Sequence, residues 1–150
     1  MKTTDQILYV LINSLLVAVT ANAEPKTVYE LPSSGMAVCK ENCKDLGVAD
    51  CENSTERKIT ATPIEGTSIT IKGRGMADAN SCYSDGRVTA EFESKDGKVS
   101  KHGEAVIKCK SSNNFTIEIP LESLSTGELT VYSKVSDWCT TVKALKVFVE

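Results

Sequence analysis

The residues best suited to chemistry in this 150-residue chain are its six cysteines, Cys39, Cys43, Cys51, Cys82, Cys109 and Cys139. Thiols in that number can ligate a metal or form disulfides. Cysteine metal sites draw on close Cys-x-x-Cys pairs, and the nearest spacing here is Cys39-x3-Cys43. An even count in a chain led into an oxidising compartment reads instead as three disulfides, with no metal bound. Three of the cysteines fall within 39–51 and three within 82–139, so if all pair internally an odd number of bridges joins the two groups. Oxidised cysteines leave no thiolate nucleophile. The single histidine, His102, lies in Ser100-Lys101-His102-Gly103 and reads as a solvated turn residue without catalytic partners. Gly-x-Ser-x-Gly, His-Glu-x-x-His and Walker-type glycine loops are missing from the sequence. Glu91 and Glu93 fall on the wet face of a strand pattern and read as solubilising. Trp138, next to Cys139, reads as a packing aromatic. The expectation is a protein that is not an enzyme and needs no cofactor. Two sequons, Asn53-Ser54-Thr55 and Asn114-Phe115-Thr116, are candidate glycosylation sites, which require surface positions; Asn113-Asn114 has the composition of a turn.

The ends of the chain support the oxidising compartment. Met1-Lys2 precedes an apolar run from Ile7 to Val19, and Ala21-Asn22-Ala23 then supplies the small residues of a cleavage site. This is the pattern of a secretory signal peptide. The run is shorter than the roughly 20 residues that span a bilayer core. Cleavage after Ala23 leaves a mature chain 24–150, long enough for one domain with a core of its own. Net charge −3 and pI near 5.3 argue against a nucleic-acid partner. No second long apolar run follows, so no transmembrane anchor is expected.

The elements that must position these residues are strands. From Lys58 onward the apolar period is two. Short alternating runs occur at 58–62, closed by Pro63, and at 68–72, between Gly66 and Gly73. Val88, Ala90 and Phe92 alternate with Thr89, Glu91 and Glu93, and Asp96-Gly97 follows as a hairpin turn. Ala105, Ile107 and Cys109 share a phase, as do Phe115, Ile117 and Ile119, closed by Pro120. Leu129, Val131 and Val135 make a sixth run, and Leu145, Val147 and Val149, in phase with Cys139, the last. About seven short strands parted by turn residues imply an all-β, disulfide-stapled, immunoglobulin-like sandwich of antiparallel strands over 58–150. Residues 24–57 read as a cysteine-braced segment packed on that domain. Within it Thr27-Val28-Tyr29 is a candidate edge strand and Ala37–Ala49 a helical candidate.

The inward set of such a sandwich includes Ile69, Ile71, Val88, Phe92, Ile107, Phe115, Ile117, Ile119, Leu129, Val131, Leu145 and Val147. These residues either interdigitate as a packed core or, if the sheets splay, line an apolar pocket. In a pocket each buried CH2 of a guest contributes about 0.8 kcal/mol. Periodicity alone leaves both open.

Length, leader, six cysteines and strand order resemble the ML lipid-recognition family, whose members include cholesterol carriers, ganglioside activators and mite allergens. The likeness is carried by Phe115-Thr-Ile-Glu-Ile-Pro-Leu121, Ser125-Thr-Gly-Glu-Leu-Thr-Val-Tyr132, Asp137-Trp-Cys-Thr-Thr-Val142 and Leu145-Lys-Val-Phe-Val149, with Ile59–Gly73 as an opening segment. The resemblance implies bridges Cys39–Cys139, Cys43–Cys51 and Cys82–Cys109. It departs from the family in the distance between Cys82 and Cys109 and in Lys110, where the family has proline. A bridge Cys82–Cys139, with Cys109 then bonded to the N-terminal group, competes. By the same likeness the protein is secreted or lumenal, extracellular or lysosomal, and holds a sterol, fatty acid or glycolipid between its sheets. The reading from a different class is a non-catalytic extracellular module that binds a protein partner, and behind it a secreted inhibitor or effector.

Overall fold

The computed structural model describes residues 24–40, 50–77, 84–135 and 139–150. The expected leader 1–23, most of the helical candidate, and Cys43, Cys82 and Trp138 lie outside the described residues. The described residues are all-β. The strands are β1 (Lys26–Glu30), β2 (Met36–Cys39), β3 (Cys51–Asn53), β4 (Glu56–Ala77), β5 (Gly86–Ser94), β6 (Ser100–Ile107), β7 (Asn113–Lys134) and β8 (Cys139–Val149). They join in the order β3-β2-β8-β4-β7-β5-β6, with β1 also on β8.

Two differences from the strand expectations have one cause. The runs at 58–62 and 68–72 fall in the two halves of the 22-residue β4, and those at 115–119 and 129–134 in the two halves of the 22-residue β7, which ends one residue short of Val135. Pro63 and Pro120 do not end strands. Pro63 sits where β4 and β7 lose register between Ala61 and Ile64, and Pro120 borders the second break, at Gly66/Ser68. A proline lacks the N–H a ladder needs, so it is tolerated at such irregularities.

The breaks are where the sheet folds over. Layer one holds β1 and β2 beside β8, then the second half of β4 and the first half of β7. Layer two holds the other halves of β4 and β7, then β5 and β6. Among the described strands β6 shares a backbone ladder with β5 alone, yet a Cβ on its Gly103 would lie 2.4 Å from Ile117 Cγ2 of β7. A Cβ on Gly75 of β4 would lie 2.7 Å from Ile107 Cδ1 of β6. These contacts run across the sandwich, so the layers touch, and glycine lets them.

The N-terminal segment belongs to the sheet itself. β1, with Thr27-Val28-Tyr29 at its centre, and β2 pair antiparallel with β8, and β3 pairs parallel with β2. Met36–Cys39, which takes in the first three residues of the region read as a helix, Ala37–Cys39, is a buried strand. Cys39 and Cys139 face each other in register and form a disulfide, as the resemblance implied, which removes Cys82–Cys139 from contention. This bridge spans 100 residues of sequence, a loop worth about 4–5 kcal/mol in the chain-entropy picture. Cys51 and Cys109 are also disulfide-bonded. The partners implied for them, Cys43 and Cys82, lie outside the described residues.

β8 does not run in a single phase. Thr140 and Val142 are buried, Lys143 and Ala144 are both exposed, and Leu145, Val147 and Val149 are buried. Ala144 takes a left-handed φ of 51°, the mark of an extra residue in the strand. The bulge moves Cys139 out of phase with Leu145, contrary to the alternation read from sequence.

Candidate functional site

The residues expected to form a pocket or a core come together. Ile69, Ile71, Val88, Phe92, Ile107, Phe115, Ile117, Ile119, Leu129, Val131, Leu145 and Val147 all belong to one buried cluster, none more than 6 % exposed. Leu31, Met36, Ile64 and Leu121 add to it from segments that alternation alone did not single out. With Gly103 and Gly75 bringing the layers into contact, these side chains have one another as neighbours.

The largest described opening lies on the outer face of layer two. There the outward residues of four strands stand in rows. Lys58, Tyr132, Thr89 and Glu104 form one row; Thr60, Thr130, Glu91 and His102 the next; Glu128, Glu93 and Ser100 a third. Of these, Lys58, Tyr132, Thr130, Glu91, His102, Glu128, Glu93 and Ser100 border an open cleft of about 820 Å³. Three cations, Lys58, Lys95 and Lys101, and three carboxylates, Glu91, Glu93 and Glu128, line it. Glu93 and Glu128 are directly opposed, a like-charge pair of the kind that destabilises a sheet. Lys101 Nζ also reaches Glu122 at 2.6 Å, an ion pair that draws the Glu122 carboxyl below its ordinary range. Tyr132 is the one half-exposed ring in the lining, with Lys134 Nζ 5.4 Å from its centroid.

The β5–β6 turn closes one end of the cleft. Gly97 adopts φ 69°, as the Asp96-Gly97 signal requires. Asp96 Oδ1 accepts from Ser94 Oγ at 2.6 Å and from the Lys98 N–H at 3.1 Å. The Ser94 hydroxyl and then the Lys98 amide hold the Asp96 carboxyl below the usual aspartate range. At the other end of the hairpin Asp85 Oδ1 accepts the Cys109 N–H at 2.9 Å, and this bond, with Lys108 beside it, lowers the Asp85 carboxyl too.

His102 is in strand β6, opposite Glu91, not in a turn. Glu91 and Glu93 are exposed on the wet face of β5, as read from sequence, and there they line the cleft. The turn carried the missing signal. With Ser94 bonded to Val99 across it, counting outward sets Glu93 against Ser100 and Glu91 against His102. Asn113-Asn114 opens β7 rather than forming a turn; Asn113 Oδ1 accepts the Lys108 N–H instead. The sequon residues Asn53 and Asn114 are both exposed, and both lie in layer one. Among the described residues no group of His, Cys, Asp and Glu is arranged to hold a metal, and no helix is long and apolar enough to cross a membrane.

No family model and no curated protein sequence matches this chain. Several solved structures show partial likeness, among them the following three. The CBM22-1 xylan-binding domain of Paenibacillus barcinonensis Xyn10C matches at TM-score 0.39 and 14% identity, over 56% of this chain and 56% of its own. TmCBM61 in complex with beta-1,4-galactotriose matches at 0.41 and 11%, over 63% and 62%. The CBM1 module of BiXyn10A matches at 0.38 and 10%, over 57% and 54%. The chain spans between half and two thirds of the length of these structures.

Proposed function

We propose that this protein is an extracellular, non-catalytic binding module that takes a neutral, polyhydroxylated ligand, a saccharide chain, along the outer face of layer two. The observation that carries this reading is the open cleft with balanced charge. Three ammonium groups and three carboxylates line it, interleaved with the Thr130 and Ser100 hydroxyls, His102 and Tyr132. Donors and acceptors are both plentiful, and no single sign of charge selects an ionic ligand. Ligand sites combine an apolar surface with a few convergent polar groups, and the exposed part of the Tyr132 ring is the surface available here. Both sequons are in layer one, so glycans there would leave this face clear. The Cys39–Cys139 disulfide suits an oxidising compartment.

A lipid held between the sheets needs space between them. The inward residues implied for that role pack against one another where Gly103 and Gly75 bring the layers together, which favours the outer face.

The test is a titration of isotope-labelled protein with a panel of neutral oligosaccharides, followed by amide shifts. Saturable shifts confined to β5, β6 and the second half of β7, lost in Tyr132→Ala, support the proposal. A silent panel, together with a bound lipid in native mass spectrometry, would return the ligand to the interior.

A further inference from the structure

The outer face of layer one carries a second feature that the cleft does not use. Here β4 and β8 lie side by side, and their outward residues pair in register: Met76 with Thr141, Arg74 with Lys143, Lys72 with Lys146. Two successive pairs therefore set cation against cation, an arrangement that weakens a sheet. One of them is relieved. Lys146 Nζ lies 2.9 Å from Glu30, and Lys72 Nζ sits 5.8 Å from the centre of the Phe148 ring. The other is not. Among the described residues Arg74 and Lys143 have no carboxylate within ion-pair distance.

Both side chains are nonetheless held. Arg74 Nε donates to Ser112 Oγ at 2.8 Å, which orients the guanidinium and leaves its terminal nitrogens free to donate. The Lys143 stem lies over Gly35, where a Cβ would come within 2.6 Å of Lys143 Cγ. The bulge in β8 supplies the rest. In an unbroken alternation with Leu145, Lys143 would point inward. The extra residue, Ala144 in its left-handed conformation, turns Lys143 outward beside Arg74. A strained backbone thus sets an unrelieved cation next to another, around a cleft of about 250 Å³ bordered also by Ser112 and Thr141. Such a local conflict is expected where a site is built.

We propose that Arg74 and Lys143 bind a small oxyanion, a sulfate or phosphate group, free or carried as a monoester on a sugar. The guanidinium offers paired donors to two oxygens, the ammonium adds a point charge, and the two hydroxyls complete the shell. The site is independent of the cleft on layer two and stands whether or not that cleft binds saccharide.

The experiment is an amide-shift titration of the labelled, disulfide-intact protein with sodium sulfate, sodium phosphate and glucose 6-sulfate. Ionic strength is held constant with sodium chloride, and glucose is the control. Saturable shifts are expected at Gly75, Met76, Ser112, Thr141 and Lys143, with glucose silent. Arg74→Gln and Lys143→Gln should each weaken binding about tenfold, Arg74→Lys less, and Lys72→Gln, outside the cleft, by under about twofold. Both target side chains are exposed, so these variants should fold, and unchanged far-strand shifts will confirm it. Tighter binding of the ester than of free sulfate identifies a sugar-borne group; equal binding identifies the free anion. Asn114 flanks Arg74 in register, so Asn114→Gln is titrated in parallel to remove any glycan there. The proposal is overturned if no anion gives saturation by about 50 mM, or if Arg74→Gln responds as the unaltered protein does.

Discussion

Phe92 and Glu91 are neighbours in β5 and face opposite ways. Phe92 is 1 % exposed among Ile, Leu and Val from both layers; Glu91 stands in water between Thr130 and His102. One strand thus separates two environments with opposite capacities. Between the layers, apolar side chains are buried in one cluster and Gly75 and Gly103 bring the layers close, so a guest there would compete with those contacts. Over layer two, polar groups of both signs stand open and nothing need be displaced. The difference bears on where a ligand can bind. Buried apolar side chains gain cohesion from their own contacts, and the proposed recognition falls to the face left outside them.

Three substitutions test how closed the interior is. The largest effect is expected from Ile117→Glu, which places an unpaired carboxylate where Ile117 is 2 % exposed. Burial of an unpaired charge costs several kcal/mol, enough to unfold a domain of ordinary stability, so circular dichroism should show loss of the native fold. Next comes Cys39→Ser with Cys139→Ser, which opens the 100-residue loop. A loss of roughly 2–5 kcal/mol in denaturant unfolding is expected, with β2 and β8 exchanging amide hydrogens sooner than β5. Gly103→Ala is the sharpest of the three. Its new methyl would meet Ile117 Cγ2 at 2.4 Å, and a β-branched side chain at 2 % exposure has little room to turn. The expected cost is about 1–3 kcal/mol. A neutral result would mean that the layers are loose there, and the interior would again be open to a guest.

Much of this contrast was legible in the sequence, and what was not has physical reasons. The phase of Phe115, Ile117, Ile119, Leu129 and Val131 announced the buried face, because period two is a property of the backbone. The Asp96-Gly97 turn was legible because few residues accept its dihedrals. Pro63 and Pro120 misled, because a missing N–H ends a regular ladder but not one already broken by a bulge. The bulge at Ala144 left no local signature, since alanine is not a residue that favours a left-handed φ; tertiary pairing imposes it. The strands β1 to β3 were obscured for a related reason. They are short; β1 and β2 find their partner in β8, 100 or more residues away, and β3 pairs with β2. The cleft stayed hidden because a wet face reads the same whether it is flat or hollow.

Substitutions on the outer face should separate binding from stability. Glu91→Gln and His102→Ala alter exposed positions that face each other across β5 and β6. Unfolding free energy should move by no more than about 0.5 kcal/mol for each. If the cleft is the recognition face, saccharide affinity should fall several-fold in the same variants. A stable variant with unchanged affinity would remove the Glu91–His102 row from the site.

The smallest effect expected lies at the turn that ends the cleft. The Asp96 carboxyl is held below its ordinary range by the Ser94 hydroxyl first and the Lys98 amide second. A carboxylate depressed in the folded state stabilises the protein above its unfolded pKa, and that contribution is lost as pH falls through the lower, folded value. Protonation of Asp96 should therefore loosen the β5–β6 turn only in acid, below the usual aspartate range, and leave neutral-pH stability alone. Asp96→Asn removes the titration but keeps an oxygen for the Ser94 and Lys98 donors. Stability measured against pH should then fall less steeply in acid for Asp96→Asn than for the unaltered protein, with the two curves converging in shape above about pH 5. The amides of Ser94 to Ser100 should report the transition while those of Ile69, Ile71 and Val147 do not. If core amides moved with it, the turn and the interior would titrate as one unit, and the separation between open face and closed core would be weaker than their packing implies.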